Sequence, residues 1–279
     1  MTTTFQDLLE LLKSKNKTDI ENALSQFQHH QKEFKAHFKL EYSEDVQELM
    51  NMLLVYEAWD GEEELMVMEE FDFYRKQITH IPTAVWKIKN LKQLNFIGNQ
   101  ITHIPVEVMR LKKLEALFLS ENNIQNIPTE ISELKVLRRL DLSHNQVTHI
   151  PEEIAELQNL RELILYDNQI KEIPKSIGNA NNLADLSLSD NQIEIIPTEI
   201  KNLKKLTKLD LNNNQVKSIP EEIGELKKMQ IILLANNQVQ IVPKTLKKLK
   251  NLFAIHLQNN PIENQDEVKE LLPNCTVYF

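Results

Sequence analysis

The stretch Asp141–Ile154, DLSHNQVTHIPEEI, closes an alternating apolar run with an asparagine, passes into an Ile-Pro pair, and returns in altered form along most of the chain. Its period says whether it is a binding motif or architecture, since self-similarity at a fixed spacing marks stacked supersecondary units. The spacing is 23 residues. From Met68 the first apolar column runs through Leu91, Leu114, Leu137, Leu160, Leu183, Leu206, Met229 and Leu252 without a slip. The asparagine column is Asn99, Asn122, Asn145, Asn168, Asn191, Asn214, Asn237 and Asn260. The proline column, Pro82 to Pro243, accounts for eight of the ten prolines.

Each residue type has a physical reason to recur. Leucines alternate in period two, so Leu140 and Leu142 point inward from a short strand while Arg139, Asp141 and Ser143 point outward. Successive strands then pair in parallel, and at about 4.8 Å per strand nine units give a sheet of roughly 40 Å. Asparagine, with donors and an acceptor on one short side chain, can satisfy backbone groups that a buried turn would leave unpaired. Proline fixes φ and lacks an N–H, which suits the start of a helical or 3-10 segment on the outer side of each coil. The Glu152–Glu153 pair then lies where a helix start favours negative charge. A single 23-residue coil buries too little to offset its own ordering, so stacking supplies the difference and the ends need caps.

The unit LxxLxLxxNxIxxIPxxIxxLxx covers about residues 68–279, and on these residues the chain resembles the leucine-rich repeat family. More narrowly, it is similar to the 23-residue Ile-Pro form found in intracellular Ras-suppressor-type and soluble bacterial proteins. The resemblance implies an α/β solenoid, a leucine-rich-repeat horseshoe with a parallel concave sheet. It also implies a non-enzymatic role in protein–protein interaction. Extracellular members usually carry a multi-cysteine cap after the last repeat, which residues 263–279 lack; the implied location is therefore cytoplasmic.

Composition excludes several other classes. The 279 residues hold only four glycines and no GxGxxG or GxxxxGK[ST] string, which leaves no material for a phosphate-cradling loop. A single cysteine, Cys275, rules out an internal disulfide and agrees with a reducing compartment. Its neighbours Val277, Tyr278 and Phe279 predict that it is buried. No run of 18 apolar residues occurs, so no membrane span is expected. A net charge of −9 disfavours nucleic acid and anionic lipid as partners. No HExxH, GxSxG or cysteine–histidine arrangement is present, and neither an enzyme nor a cofactor is expected.

Three segments follow: 1–67, 68–262 for the repeats, and 263–279 as a carboxyl-terminal cap. The first carries 6 basic and 14 acidic residues, a net of −8, and reads as three amphipathic helices. It fits a plain helical cap over the open edge at Met68, Phe71 and Phe73, and equally a cap that also offers a partner or dimer surface. The chain is expected to be monomeric unless residues 1–67 bring copies together. In the rival functional reading, this helical segment carries the specific activity of an adaptor or effector and the repeats only position it.

The outward strand positions carry the candidate site. Most are small or polar, but Ile97, Phe118, Ile164 and Tyr166 are large and apolar and fall within four consecutive coils, with Arg139 and Asp141 between them. An apolar centre with charged neighbours suits a protein partner. Asp167, Asp185, Asp190 and Asp210 favour a basic segment of that partner. Lys204, Lys205, Lys227, Lys228, Lys247 and Lys248 recur in pairs just before an apolar repeat position, either as a solvated edge or as a dock for an acidic surface, including another copy's first 67 residues. His30, Glu33 and His37 share one helical stripe, and His80, His103 and His149 share one repeat position. The first spacing can bring ligands together, but its stripe borders the apolar face as a solvated boundary does. In the second only His80 and His103 belong to adjacent coils and no third ligand accompanies them, so no metal is expected.

Overall fold

The computed structural model of the chain describes residues 69–81, 85, 86 and 88–279. The chain divides into two compact units, and residues 69–81 and 89–279 belong to the larger. The helices expected within 1–67 lie outside the described residues, as do His30, Glu33 and His37.

Ten short strands follow one another: β1 (Glu70–Asp72), β2 (Gln93–Asn95), β3 (Ala116–Phe118), β4 (Arg139–Asp141), β5 (Glu162–Ile164), β6 (Asp185–Ser187), β7 (Lys208–Asp210), β8 (Ile231–Leu233), β9 (Ala254–His256) and β10 (Thr276–Tyr278). They form one parallel sheet in chain order. Its register from β1 to β9 is the sequence period, with Phe118 opposite Asp141 and Asp141 opposite Ile164. This is the solenoid that the repeat implies. The outer segments are 3-10 helices of five residues, such as Glu152–Glu156, each entered from a proline with φ near the ring's own value; Pro151 has φ −66°. The one α-helix among the described residues is α1 (Gln265–Leu271).

Seven inward side chains fill each coil. In the coil that begins at Leu137 these are Leu137, Leu140, Leu142, Val147, Ile150, Ile154 and Leu157, all buried. Asparagine then ties one coil to the previous one. Asn145 Oδ1 accepts from the backbone N–H of Ile124 at 2.9 Å, and its Nδ2 donates to the carbonyls of Leu119, Leu142 and Ser143 at 2.9, 3.1 and 3.0 Å. Asn122, Asn168, Asn191, Asn214 and Asn237 repeat the pattern. The residue before each asparagine sits in the left-handed region, from His144 at φ 51° through Asp167 and Asp190 at 55° to Asn259 at 56°. Short polar side chains tolerate this conformation best, and the column fills with Asp and Asn toward the carboxyl end. Close packing appears at Gly224, where a Cβ would stand 2.6 Å from the Thr245 carbonyl of the next coil.

The carboxyl end has the helix and extended tail that Val268, Leu271 and Leu272 at helical spacing and the β-prone last residues suggest, and it differs from expectation at the cysteine. The tail is a tenth strand, since Thr276, Val277 and Tyr278 pair with Ala254, Ile255 and His256. Cys275 is half-buried rather than buried. Partial burial still pushes its thiol pKa up, against a backbone hydrogen bond at Ile255.

Candidate partner-binding face

Three rows of outward side chains cross the sheet at strand spacings of about 4.8 Å. The central row reads Asp72, Asn95, Phe118, Asp141, Ile164, Ser187, Asp210, Leu233 and His256, and its acidic and amide members are partly structural. Asp72, Asn95, Asp141 and Asp210 each accept, through Oδ1, the backbone N–H two residues on, at 2.8, 2.9, 3.1 and 3.2 Å. This local turn closes the strand before the asparagine takes over.

The sequence-predicted residues gather around a trough. Phe118 and Ile164 are half-buried and flank Asp141 from the two neighbouring strands, about 10 Å apart by strand spacing. Ile97 and Tyr166, also half-buried, share the next row, with Ser120 and Ser143 between them. Both serines are buried, Ser143 to 1% exposure, so the space between the apolar walls is low. Asp141 and Ser143 are less free than their outward register suggests. Asp141 is only 9% exposed, and its Oδ1 also accepts from Ser143 Oγ at 2.7 Å. His144 remains exposed and holds Tyr166 in place. The rings meet edge to face at 4.8 Å, while His144 Nδ1 lies 2.5 Å from Asp167 Oδ2.

Arg139 anchors the trough. Its guanidinium carbon lies 5.3 Å from the centre of the Phe118 ring, and Nη1 pairs with Glu162 at 2.8 Å. Asp141 Oδ2 stands 4.0 Å from Nη2, and the buried Nε has no hydrogen-bond partner among the described residues.

The four aspartates expected to attract a basic segment are mostly engaged. Asp185 faces Lys208 at 3.4 Å, Asp190 accepts from Asn213 at 2.7 Å, and Asp167 has His144. Asp210 accepts the Asn212 N–H and has no direct ion pair among the described residues; burial holds its carboxyl pKa above the ordinary value, with Asp185 and Asp190 adding to the effect. His80, His103 and His149 each lie beside the hydroxyl of the preceding threonine, at 3.2, 3.3 and 3.1 Å. Among the described residues no cluster of three His, Cys, Asp or Glu side chains has the placement to hold a metal. No helix among them is long and apolar enough to cross a membrane.

Two features of this face were missed by sequence reasoning. A depression of about 260 Å³ is lined by Glu70, Lys92, Gln93, Glu115, Ala116, Arg138 and Arg139. Ala116, a small residue between Gln93 and Arg139 in the first row, was its only signal. A second apolar group forms at the far end from Ile231 and Leu233 with His256, whose ring stacks on Tyr278 at 4.3 Å. Leu233 was visible in the central row, but Tyr278 joins the group only through the tenth strand.

Comparison with known proteins agrees with this geometry. A family model described as a leucine-rich repeat region matches residues 129–213 and 175–273, and a second, leucine rich repeat, matches 89–147. Among curated proteins nothing matches. Among solved structures, a leucine-rich-repeat protein of Leptospira interrogans is 36% identical with a TM-score of 0.65; the match covers 78% of this chain and 62% of that one. The ectodomain of a plant membrane receptor kinase from Arabidopsis thaliana, solved in complex with Casparian strip integrity factor 2, is 32% identical with a TM-score of 0.61. That match covers 65% of this chain but only 23% of the receptor. An internalin of Listeria monocytogenes shares the fold at a TM-score of 0.69 and 22% identity, over 78% of this chain and 62% of its own. With family models over more than half of its length and a ten-strand parallel solenoid, the chain belongs to the leucine-rich repeat family.

Proposed function

We propose that the chain is a non-enzymatic binding module that takes a segment of a protein partner on its concave sheet, with Ile97, Phe118, Ile164 and Tyr166 as apolar contacts. Arg139 and Asp141 supply the polar part of the site. The observation that carries this reading is the arrangement itself: half-buried apolar side chains on neighbouring strands, and beside Phe118 the Arg139 guanidinium, whose side chain is 40% exposed and can meet a carbonyl or carboxylate of the partner. The Arabidopsis receptor ectodomain, solved with its protein ligand bound, supports the same class of role. In this reading residues 1–67 form a helical cap, 68–262 the binding solenoid and 263–279 the second cap, and the protein works in the cytoplasm.

Selection of a random-peptide display library against the wild type and against a Phe118→Ala/Ile164→Ala/Tyr166→Ala variant tests the assignment. Peptides selected on the wild type are expected to lose about tenfold or more in affinity for the variant, as central aromatic contacts usually do. Peptides that bind both equally overturn the concave site and favour the rival, in which residues 1–67 carry the specific activity.

A further inference from the structure

The outer edge of the solenoid changes character along its length. In the earlier coils the lysine that precedes the first leucine is neutralised by a glutamate on the next coil's 3-10 helix: Lys112 pairs with Glu133 at 2.9 Å, and Lys135 with Glu156 at 3.2 Å. The same acceptor column continues as Asn179, Asn202, Glu225 and Lys248. The position that would neutralise Lys227 is therefore itself a lysine. Glu225 pairs with Lys248 at 3.2 Å and has Lys227 and Lys204 as further charges beside it without a direct ion pair to either.

Residues 201–250 hold 11 lysines and 4 acidic residues, a net of +7, in a chain whose net charge is −9. Four of these lysines reach a carboxylate: Lys208, Lys217, Lys244 and Lys248. Lys201, Lys204, Lys228, Lys247 and Lys250 are exposed, and their ammonium groups form no hydrogen bond or ion pair among the described residues. Lys205 and Lys227 meet only neutral oxygens, on Asn182 and Gly224. Because adjacent coils are in register, Lys204, Lys227 and Lys250 stack in one column, and like charges placed directly opposite each other repel. A folded chain keeps such an edge at a cost to itself, which a negatively charged partner removes.

The sequence contains a segment of matching size and opposite sign: residues 1–67, with 14 acidic and 6 basic residues and a net of −8. We propose that the basic edge formed by residues 201–250 docks the acidic residues 1–67 of a second copy, joining copies head to tail. A contact between two different patches of the same chain is heterologous, so it adds copies beyond two rather than closing as a symmetric dimer. It is electrostatic, hence graded by salt. It stands apart from the concave trough, whose residues it does not use.

Sedimentation velocity of the full chain over a concentration series, at about 0.05 M and about 0.5 M salt, tests it. The weight-average sedimentation coefficient is expected to rise with protein concentration at low salt and to stay flat at high salt. Lys204→Glu/Lys228→Glu/Lys250→Glu changes three exposed side chains and is expected to weaken low-salt association about tenfold or more. Glu62→Lys/Glu63→Lys/Glu64→Lys is expected to do the same, and an equimolar mixture of the two variants to associate again. Thermal unfolding of each variant checks that the fold is retained. A wild type that sediments as a monomer at every concentration overturns the proposal, as does association that the edge variant leaves unchanged. A mixture that stays monomeric while each variant is folded also overturns it, and points to an acidic partner other than this chain.

Discussion

Asn145 and Asp141 lie four residues apart in one coil, both with short polar side chains hydrogen-bonded to backbone, yet they belong to columns that behave oppositely. Asn145 bonds across coils, to Leu119 and Ile124 of the preceding turn of the solenoid. Among the described residues the Asp141 side chain hydrogen-bonds only to Ser143, two residues on, with Arg139 of its own strand 4.0 Å away. A between-coil bond requires the same atom in the same place in every coil, and from Asn99 to Asn260 the position never changes. A local bond can be dispensed with, and the central strand row holds Asp72, Asn95 and Asp210 alongside Phe118, Ile164, Ser187 and Leu233. The frame is repeated because it is shared between neighbours; the face varies because each coil settles its own.

The largest expected effect tests the shared column. Asn168 Oδ1 accepts from Val147 N–H at 2.8 Å, and its Nδ2 donates to the carbonyls of Leu142, Leu165 and Tyr166 at 2.9, 3.1 and 3.3 Å. Asn168→Ala strands buried groups in two coils, so urea denaturation is expected to show a loss of about 1–3 kcal/mol. A loss within the scatter of ordinary surface substitutions, about 0.5 kcal/mol, would break the distinction between the columns. A smaller effect is expected on the face. Phe118 is half-buried and its clearest specific contact is the guanidinium of Arg139, so Phe118→Ser should cost about 1 kcal/mol or less. Loss of cooperative unfolding in that variant would make Phe118 part of the frame.

This division explains what could be read from the sequence. Period, parallel strands and asparagine turns were legible because identical coils impose identical demands, and the inward register of Leu140 and Leu142 follows from alternation alone. Outward register was equally legible, but outward is not the same as available. Whether Asp141 faces a partner depends on Ser143 Oγ and the arm of Arg139, and their positions follow from neighbouring side chains rather than from spacing. The carboxyl tail is β-prone in sequence, but its pairing as a tenth strand was not legible from the repeat. Thr276–Tyr278 follows α1 instead of an Ile-Pro turn, so it lies outside the repeat that revealed the other nine. Cys275 was misjudged, since apolar neighbours in sequence do not by themselves bury a thiol.

The smallest effect concerns Asp210, the face residue whose charge is least comfortable. Burial is the main reason its carboxyl pKa is raised from 3.8, with Asp185 and Asp190 adding to it, while the Asn212 N–H and Lys208 oppose the rise. A raised pKa in the folded state means that the native protein holds this proton more tightly than the unfolded chain does. The contribution to stability is therefore complete below 3.8 and is lost as pH rises through the folded value. At neutral pH the ionised carboxylate works against the fold. Asp210→Asn keeps an oxygen to accept the Asn212 N–H, now at 3.2 Å, and removes the buried charge. Urea denaturation across a pH series is expected to show the variant slightly more stable than the wild type at neutral pH, with the gap closing as the medium becomes acidic. A variant that is less stable at neutral pH, or a gap that does not move with pH, would mean that the carboxylate is needed by the frame, and Asp210 would then belong with Asn145 rather than with Asp141.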